Sequence, residues 1–131
     1  MIGVDTNVLV RWLTADDPEQ LEKVDRFVEK AVERKEPLHV DSIMLCELVW
    51  VLRRAYRFSR EEVADAVAGL LSTRQFEIDG RDRVRRALAD FRQGPGDFSD
   101  YLIAARNQHA GCSSTVTFDR ALRSHGSIRL L

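Results

Sequence analysis

Five short apolar segments alternate with longer segments of helical periodicity along this chain of 131 residues. The apolar segments cover positions 2–5, 38–41, 75–78, 114–117 and 128–131. Between them, apolar residues recur every three or four positions, as on one face of a helix. Strands that alternate with helices pair in parallel and are covered by helices on both faces. The alternation therefore predicts an α/β fold in three α/β/α layers around a central parallel sheet of four to five strands.

Local signals mark where several helices begin and end. Ser59-Arg60-Glu61-Glu62 is a capping-box pattern, and Asp16-Asp17-Pro18 is typical of a helix start. Ser42 is predicted to cap a helix that reaches Tyr56. Two further helices are predicted over 82–92 and 97–110, and the second should end at Gly111, which suits a left-handed residue. The length predicts a single domain over residues 1–131.

Composition excludes several classes of protein. With 20 basic and 21 acidic groups, the net charge of −1 rules out a positive field over the whole surface. All but three basic residues are arginines, whose planar guanidinium suits phosphates and carboxylates. No apolar stretch is long enough for a membrane helix and no secretory signal opens the chain, so we expect a cytoplasmic protein with no membrane partner. Cys46 and Cys112 match no metal-ligand spacing and are expected to be buried free thiols.

Three aspartates stand where a parallel sheet binds its ligands, beyond the carboxyl ends of the strands. Asp5 follows the first predicted strand and Asp119 follows the fourth. Asp100 lies in the first turn of the helix that leads into that fourth strand. Each also has a structural interpretation, because Asp5, Asp97 and Asp119 occupy helix-capping positions and Asp100 would then be a favourable acid of the first turn.

Glu47 differs from the aspartates because it stands within a helix. Ile43 and Val51 lie four residues before and after it, so we expect its side chain to face inward or into a cleft. A buried carboxylate must be protonated, paired or bound to a cation. An internal ion pair, for example with Arg54, is the structural alternative.

If these four carboxylates converge, their mutual repulsion is relieved by protonation or by a divalent cation. Oxygen-only ligands favour Mg²⁺ or Mn²⁺ over Zn²⁺. The three histidines have no metal-ligand spacing: His109 is expected at a helix C-terminus, and His39 and His125 at the surface.

At this point four segments, taken in order, resemble the motifs of PIN-domain ribonucleases, and of these most closely the VapC toxins of type II toxin–antitoxin systems. The segments are Val4-Asp5-Thr6-Asn7-Val8-Leu9-Val10, Glu47, Asp97-Phe98-Ser99-Asp100-Tyr101-Leu102-Ile103-Ala104-Ala105 and Thr117-Phe118-Asp119-Arg120. The resemblance extends from residue 3 to about residue 123. It implies a PIN fold, an endoribonuclease that depends on Mg²⁺ or Mn²⁺, and neutralisation by a VapB-type antitoxin.

The resemblance also implies roles for individual residues. Asp5, Glu47, Asp100 and Asp119 match the family's acidic, metal-holding positions, and the supporting polar positions are matched by Asn7 and Thr117. Asp97 is interpreted mainly as a cap. The cation would be held by Asp5 and Asp100 and would activate a water that Glu47 or Asp119 orients or deprotonates. The products implied are a 5′-phosphate and a 3′-hydroxyl. Tyr101 stands where many members carry a small residue.

An RNA substrate requires positive charge near these acids. The candidates for RNA contact are Arg11, Arg53, Arg54, Arg81, Arg85 and Arg120. For the arginine series at 81–86 the alternative is a solvated helix face on which Asp82 pairs with Arg86. Trp12, Phe27 and Trp50 are expected in the core, or else in a groove for an antitoxin helix or on the face of a homodimer, which we also expect.

Two other functions remain open from the sequence. Asp5 after a first strand faintly resembles the nucleophile of haloacid dehalogenase-like phosphohydrolases, but all three lysines cluster between residues 23 and 35 and offer no convincing partner. A non-catalytic PIN-like module that binds RNA or protein is the other alternative. Retention of all four acids argues against it.

Overall fold

The computed structural model describes residues 1–131, which form two compact units, Met1–Asp79 and Gly80–Leu131. The first is called the N-terminal unit and the second the C-terminal unit. The prediction of a single domain over residues 1–131 stays a prediction. No helix combines the length and apolar character needed to cross a membrane.

The N-terminal unit contains three parallel strands and four helices. In chain order these are β1 (Ile2–Gly3), α1 (Thr6–Thr14), α2 (Pro18–Glu33), β2 (Leu38–Val40), α3 (Ser42–Arg54), α4 (Arg60–Ser72) and β3 (Phe76–Ile78). The strands pair in the order β1-β2-β3, with Leu38 opposite both Ile2 and Phe76. Helix α1 packs against α2 and α3, and α4 packs against α3 and β3.

Buried apolar side chains explain why these elements form. Leu38 and Val40 of β2 are fully buried, and Phe76 of β3 is nearly so. They meet the apolar faces of the helices, whose fully buried members are Leu45, Leu48, Leu52, Val63 and Leu70. Trp12 of α1 is half-buried, and its ring meets Phe76 edge to face with centroids 5.3 Å apart. Trp12 therefore packs against the core as predicted. The prediction of a core position is wrong for Trp50, which is 60% exposed.

The C-terminal unit contains two helices, two strands and a 3₁₀ turn. Its elements are α5 (Arg81–Gln93), α6 (Phe98–His109), β4 (Thr115–Thr117), the 3₁₀ turn Arg120–Leu122 and β5 (Ile128–Leu130). Helices α5 and α6 pack tightly against each other, with Phe91 and Phe98 edge to face at 6.1 Å. Strands β4 and β5 pair in parallel, with Val116 opposite Arg129.

The α/β fold class and the parallel pairing of the strands are confirmed. The five predicted strands are all present, but their ladders form a sheet of three strands and a sheet of two, instead of one sheet of four to five. The strands are also short, because each apolar segment ends at once in polar residues that begin a turn or a helix. In β1 only Ile2 and Gly3 pair with β2.

Most of the predicted helix boundaries are confirmed, with one correction. Ser59 and Glu62 form the predicted capping box, and Gly111 follows α6 with a positive φ of 98°. The cap of α3 is Asp41 and not Ser42, because the Asp41 Oδ1 accepts the Ile43 N–H at 2.7 Å. Ser42 is the first helical residue, and its hydroxyl donates instead to Asp79 Oδ2 at 2.6 Å.

The two thiols also differ from expectation. Cys112 is exposed and Cys46 is half-buried, and neither forms a disulfide. Cys112 follows Gly111 in the exposed segment between α6 and β4. The prediction of two buried thiols is therefore wrong for Cys112.

Candidate active site

Asp5 stands between β1 and α1, at the carboxyl end of the strand. It occupies the N-cap position of α1 in an extended conformation, yet its side chain makes no capping hydrogen bond. Asp5 is exposed. The capping interpretation therefore accounts for its backbone conformation and leaves its carboxylate unused by the helix.

Glu47 is held by a hydroxyl from the neighbouring helix. The Thr6 Oγ1 of α1 donates to the Glu47 Oε2 of α3 at 2.6 Å, and Thr6 itself is buried. The N-terminal unit thus fixes Glu47 through the residue that directly follows Asp5. The alternative ion pair with Arg54 is replaced by this hydrogen bond.

Glu47 is exposed, so of the two orientations predicted for it the inward one is wrong, and an orientation into a cleft stays a prediction. The inference rested on Ile43 as an apolar neighbour four residues earlier, but Ile43 is itself 80% exposed. Helical spacing places residues on one face without telling which face is inward. On α3, the buried face carries Leu45, Leu48 and Leu52.

Asp100 lies in an electrostatically crowded place at the start of α6. Asp97 is the N-cap of this helix, as the structural interpretation proposed, and its N–H donates to Asp100 Oδ2 at 3.2 Å. Burial raises the pKa of Asp100, and the negative charges of Asp97 and Asp119 raise it further, while the Asp97 N–H opposes them. The two acids that act on Asp100 both lie in the C-terminal unit, so Asp97, Asp100 and Asp119 interact electrostatically there.

Asp119 is positioned by backbone amides and by Thr117. Its Oδ1 accepts the Ala121 N–H at 2.9 Å, which caps the 3₁₀ turn as the structural interpretation expected. Its own N–H donates to Thr117 Oγ1 at 3.1 Å. Thr117 therefore supports the loop that carries this carboxylate. Asp119 is exposed.

Tyr101 follows Asp100 and points into the C-terminal unit. Its hydroxyl accepts the Gly96 N–H at 2.9 Å, and the side chain is buried. It lines a cavity of about 320 Å³ together with Asp90, Leu122 and His125. In this position it shapes a cavity next to the Asp100 end of α6.

Two histidines are less exposed than predicted. His125 Nε2 lies 2.8 Å from Asp90 Oδ2, and its Nδ1 accepts the Ser127 N–H at 3.2 Å, so this ring is held between α5 and the loop before β5. His39 is half-buried in the middle of β2, and its Nδ1 is buried without a hydrogen-bond partner. Only His109 fits its prediction, as the exposed last residue of α6.

Arg11 belongs to a network that links three segments of the N-terminal unit. It donates to Gln20 Oε1 at 2.5 Å, to Asp16 Oδ1 at 3.2 Å and to the Tyr56 hydroxyl at 3.0 Å. Hydrogen bonds from Tyr56 and Thr14 hold the pKa of Asp16 below its usual value, while the hydrogen bond to Tyr56 raises the pKa of Arg11. These contacts give Arg11 a structural role; RNA contact by this residue stays a prediction.

The remaining arginines lie at the surface or near it. Arg53 donates to the Phe58 carbonyl at 3.2 Å, and Arg54 and Arg120 are exposed. The helix-face alternative for residues 81–86 has a different pairing from the one predicted. Asp82 lies 3.6 Å from Arg85, whereas Arg86 donates to Gln108 of α6 at 3.1 Å. Arg86 is drawn toward α6 because the two helices pack together.

No group of three or more His, Cys, Asp or Glu side chains is arranged to hold a metal ion, so the predicted metal site stays a prediction. The donor chemistry nevertheless fits a hard cation. Asp5 and Asp119 offer exposed carboxylate oxygens, and Asp100 carries a charge that neighbouring acids disfavour. A divalent cation is one group that relieves such crowding.

Sequence reasoning missed Thr6. A threonine between two predicted site residues, Asp5 and Asn7, was visible in the sequence, but its partner Glu47 is 41 residues away. Asp41 and Asp79 were not predicted as site residues either, although they follow β2 and β3 as Asp5 follows β1. Their carboxylates are engaged by the α3 amides and by Ser42 respectively.

Comparison with known proteins identifies the family of this chain. The VapC ribonuclease of Aquifex aeolicus (strain VF5) is 27% identical to the chain over 123 residues, which cover 94% of this chain and 90% of that protein. The PIN domain family model matches residues 2–127. The match includes all four predicted acids as well as Thr6 and Thr117. The chain therefore belongs to the PIN domain family.

Proposed function

We propose that the chain is an endoribonuclease dependent on Mg²⁺ or Mn²⁺ and the toxin of a type II toxin–antitoxin pair. Its catalytic groups are Asp5 and Glu47 of the N-terminal unit and Asp100 and Asp119 of the C-terminal unit. The similarity to a VapC ribonuclease supports the reaction class. The resemblance of the segments that carry these four acids to the family's motifs supports the assignment of residues.

One observation carries the proposal: Asp100 is held in a place that disfavours its negative charge. Burial and the charges of Asp97 and Asp119 raise its pKa. A purely structural acid in the first turn of a helix is usually stabilised as the anion by the helix dipole. Like charges kept close together are typical of sites that act on a cation or a proton.

The candidate residues have separate roles in the proposed reaction. Asp5 in the N-terminal unit and Asp100 and Asp119 in the C-terminal unit are the carboxylates that would hold the cation, with Asn7 as a further polar group. A divalent cation held there would supply polarisation of the scissile phosphate and would lower the pKa of a bound water. Glu47, fixed by Thr6 through Oε2, accepts the proton of the attacking water. Thr117 holds the Asp119 loop. The water oxygen forms a bond to phosphorus as the bond from phosphorus to the 3′-oxygen breaks, and the leaving 3′-oxygen takes a proton from solvent, which gives a 5′-phosphate and a 3′-hydroxyl.

The test is cleavage of single-stranded RNA by the purified protein with Mg²⁺, with Mn²⁺ and with a chelator. We expect cleavage only with added cation, and we expect Asp5→Asn to abolish it because an amide is a poor ligand for these ions. Asp41→Asn is the matched control, since Asp41 follows β2 as Asp5 follows β1 but caps α3. Its activity should stay close to that of the original protein.

Undiminished cleavage by Asp5→Asn, with circular dichroism showing an intact fold, would refute the assignment. RNA binding without cleavage under every metal condition would favour the non-catalytic PIN-like module. A trapped phospho-aspartate on Asp5 would favour the phosphohydrolase.

RNA contact by the arginines is part of the proposal. Arg85 is exposed and only weakly tied to Asp82 at 3.6 Å, so its guanidinium is available to a phosphate. Reversing Arg81 and Arg85 to glutamate should weaken RNA binding and lower the salt dependence by about 0.7 in the log–log slope per lost contact. Arg34→Glu, at the exposed end of α2, is the control. An unchanged slope would mean that this face is only solvated.

Protein partners complete the proposal: a VapB-type antitoxin and a second copy of the chain. Ile43 and Trp50 on α3 are 80% and 60% exposed, which is apolar surface that a partner would cover. Light scattering of the chain alone and with its antitoxin tests both associations. Trp50→Glu should weaken at least one of them, and retention of both would exclude this face.

A further inference from the structure

Phe118 is the most exposed large apolar side chain of the protein. Its side chain is 81% exposed, and it lies between the end of β4 and Asp119. A phenylalanine in this position loses the favourable burial that its ring would gain in the core. Such exposure next to a candidate catalytic acid calls for an explanation in terms of a ligand.

The backbone on both sides of Phe118 is fixed. The Thr117 carbonyl accepts the Leu131 N–H at 2.9 Å, and the Thr117 hydroxyl accepts the Asp119 N–H at 3.1 Å. On the other side, the Asp119 carbonyl accepts the Leu122 N–H at 3.1 Å. The ring is therefore carried by an ordered turn, and its exposure does not come from a loose loop.

The surroundings of Phe118 combine apolar surface with positive charge. Val116 of β4, two residues earlier in the chain, is 48% exposed and pairs with Arg129 of β5. Arg120 follows Asp119, and both arginines are exposed. An aromatic ring next to guanidinium groups is the combination that binds single-stranded nucleic acid, with the ring stacking on a base and the cations on phosphates.

The charges favour RNA over a protein partner as the occupant. The exposed guanidinium groups of Arg120 and Arg129 attract phosphates, and an exposed aromatic ring offers a face to a base, so the two features together suit a nucleic-acid strand. Successive Cα atoms are about 3.8 Å apart, so the root of the ring lies next to the root of the Asp119 carboxylate. A base on this ring would belong to a nucleotide adjacent to the phosphate that Asp119 serves.

We propose that Phe118 is a substrate-binding residue that stacks on a base of single-stranded RNA and places the neighbouring phosphodiester at Asp119. The inference rests on the proposed ribonuclease function and adds a residue that this function does not require. Because every base has an aromatic face, stacking gives affinity and register with little sequence preference.

The test measures binding of a short single-stranded RNA that carries 2-aminopurine, using the full chain with Asp5→Asn to prevent cleavage. Phe118→Leu keeps an apolar side chain but removes the aromatic face, and Phe118→Trp keeps the face. We expect Phe118→Leu to raise Kd by about 5- to 150-fold and to lose the quenching of 2-aminopurine, because a stacked base contributes affinity in that range. Phe118→Trp should restore both.

Val32→Ala is the matched control, because Val32 is an exposed apolar side chain, 53% exposed, and lies on α2 of the other unit. Its Kd for RNA should not change. Cleavage of RNA by the unsubstituted protein together with an unchanged Kd and full quenching in Phe118→Leu would overturn the stacking role alone. Loss of antitoxin or self-association in Phe118→Leu with unchanged RNA binding would overturn it in favour of a protein contact. Failure of the unsubstituted protein to bind or cleave RNA would overturn the proposed function, and the stacking role with it.

Discussion

The two units position their candidate acids in different ways. In the N-terminal unit, Glu47 depends on one side-chain hydroxyl, from Thr6, and Asp5 makes no capping bond. In the C-terminal unit, Asp100 and Asp119 each accept a backbone N–H. Burial and the neighbouring acids Asp97 and Asp119 raise the pKa of Asp100.

The difference shows what each unit can be expected to tolerate. A hydroxyl can be removed by one substitution, so the position of Glu47 is sensitive to the identity of Thr6. A backbone amide survives any substitution that keeps the helix, so Asp100 and Asp119 stay in place when their neighbours change. In return, the C-terminal unit must keep like charges close together.

The largest expected effect is on the proton acceptor of the N-terminal unit. Glu47→Gln should lower kcat by about 10²- to 10⁴-fold, the usual contribution of a general base, with little change in stability because Glu47 is exposed. Single-turnover cleavage at saturating Mg²⁺ measures it. Full activity in this variant would assign the base to the C-terminal unit.

The next largest effect on activity is expected for Thr6→Val, because this substitution removes the hydroxyl and keeps the shape of the side chain. We expect a loss of about 10- to 100-fold in kcat, as for other residues that orient a functional group. Thr6→Ser should restore most of the activity, since serine also donates to Glu47. If valine and serine behave alike, the hydrogen bond at 2.6 Å does not position the base.

Asp41→Ala separates capping acids from functional ones within the N-terminal unit. Removal of the carboxylate that accepts the Ile43 N–H should cost about 1 kcal/mol in the free energy of unfolding. Urea denaturation measures that loss, and cleavage by the folded fraction should be unchanged. A loss of activity without a loss of stability would mean that Asp41 takes part in the reaction.

Asp100→Asn tests the charge crowding of the C-terminal unit. A carboxyl pKa raised on folding contributes stability that is fully present below the unfolded pKa and is lost as the pH rises through the folded pKa. Without metal, the asparagine variant should therefore be more stable than the original protein at neutral pH. Its Oδ1 can still accept the Asp97 N–H.

The stability difference between the two proteins should shrink as the pH falls and disappear below the ordinary aspartate pKa of about 4. Thermal unfolding across this pH range is the measurement. Added Mg²⁺ should reduce the advantage of the variant at neutral pH, since only the carboxylate binds it well. A variant that is less stable at neutral pH would contradict the crowding.

The alternation of strands and helices was readable from the sequence because each element is dictated by local periodicity and caps. The segment predicted at 75–78 is found as Phe76–Ile78, and Ser59 caps α4 as expected. The division into two ladders was not readable, because local apolar runs do not say which strands pair.

The candidate site was only partly readable. Aspartates follow β1, β2 and β3, and the sequence does not distinguish Asp5, which makes no capping bond, from Asp41 and Asp79, which are engaged. That distinction depends on partners such as the Ser42 hydroxyl, whose acceptor is 37 residues away. The exposure of Glu47 could not be predicted either, because helical spacing alone does not identify the inward face of a helix.

The turn between α5 and α6 has a consequence for how sequences of this kind can vary. A Cβ added at Gly96 would collide with a methyl group of Leu122 and would lie 2.9 Å from Cζ and from the hydroxyl of Tyr101, to which the Gly96 N–H already donates. Any side chain at Gly96 must therefore displace the tyrosine that directly follows Asp100. A substitution of Gly96 would shift the ring of Tyr101 and with it the neighbouring Asp100. Position 96 and position 101 should therefore change together or not at all.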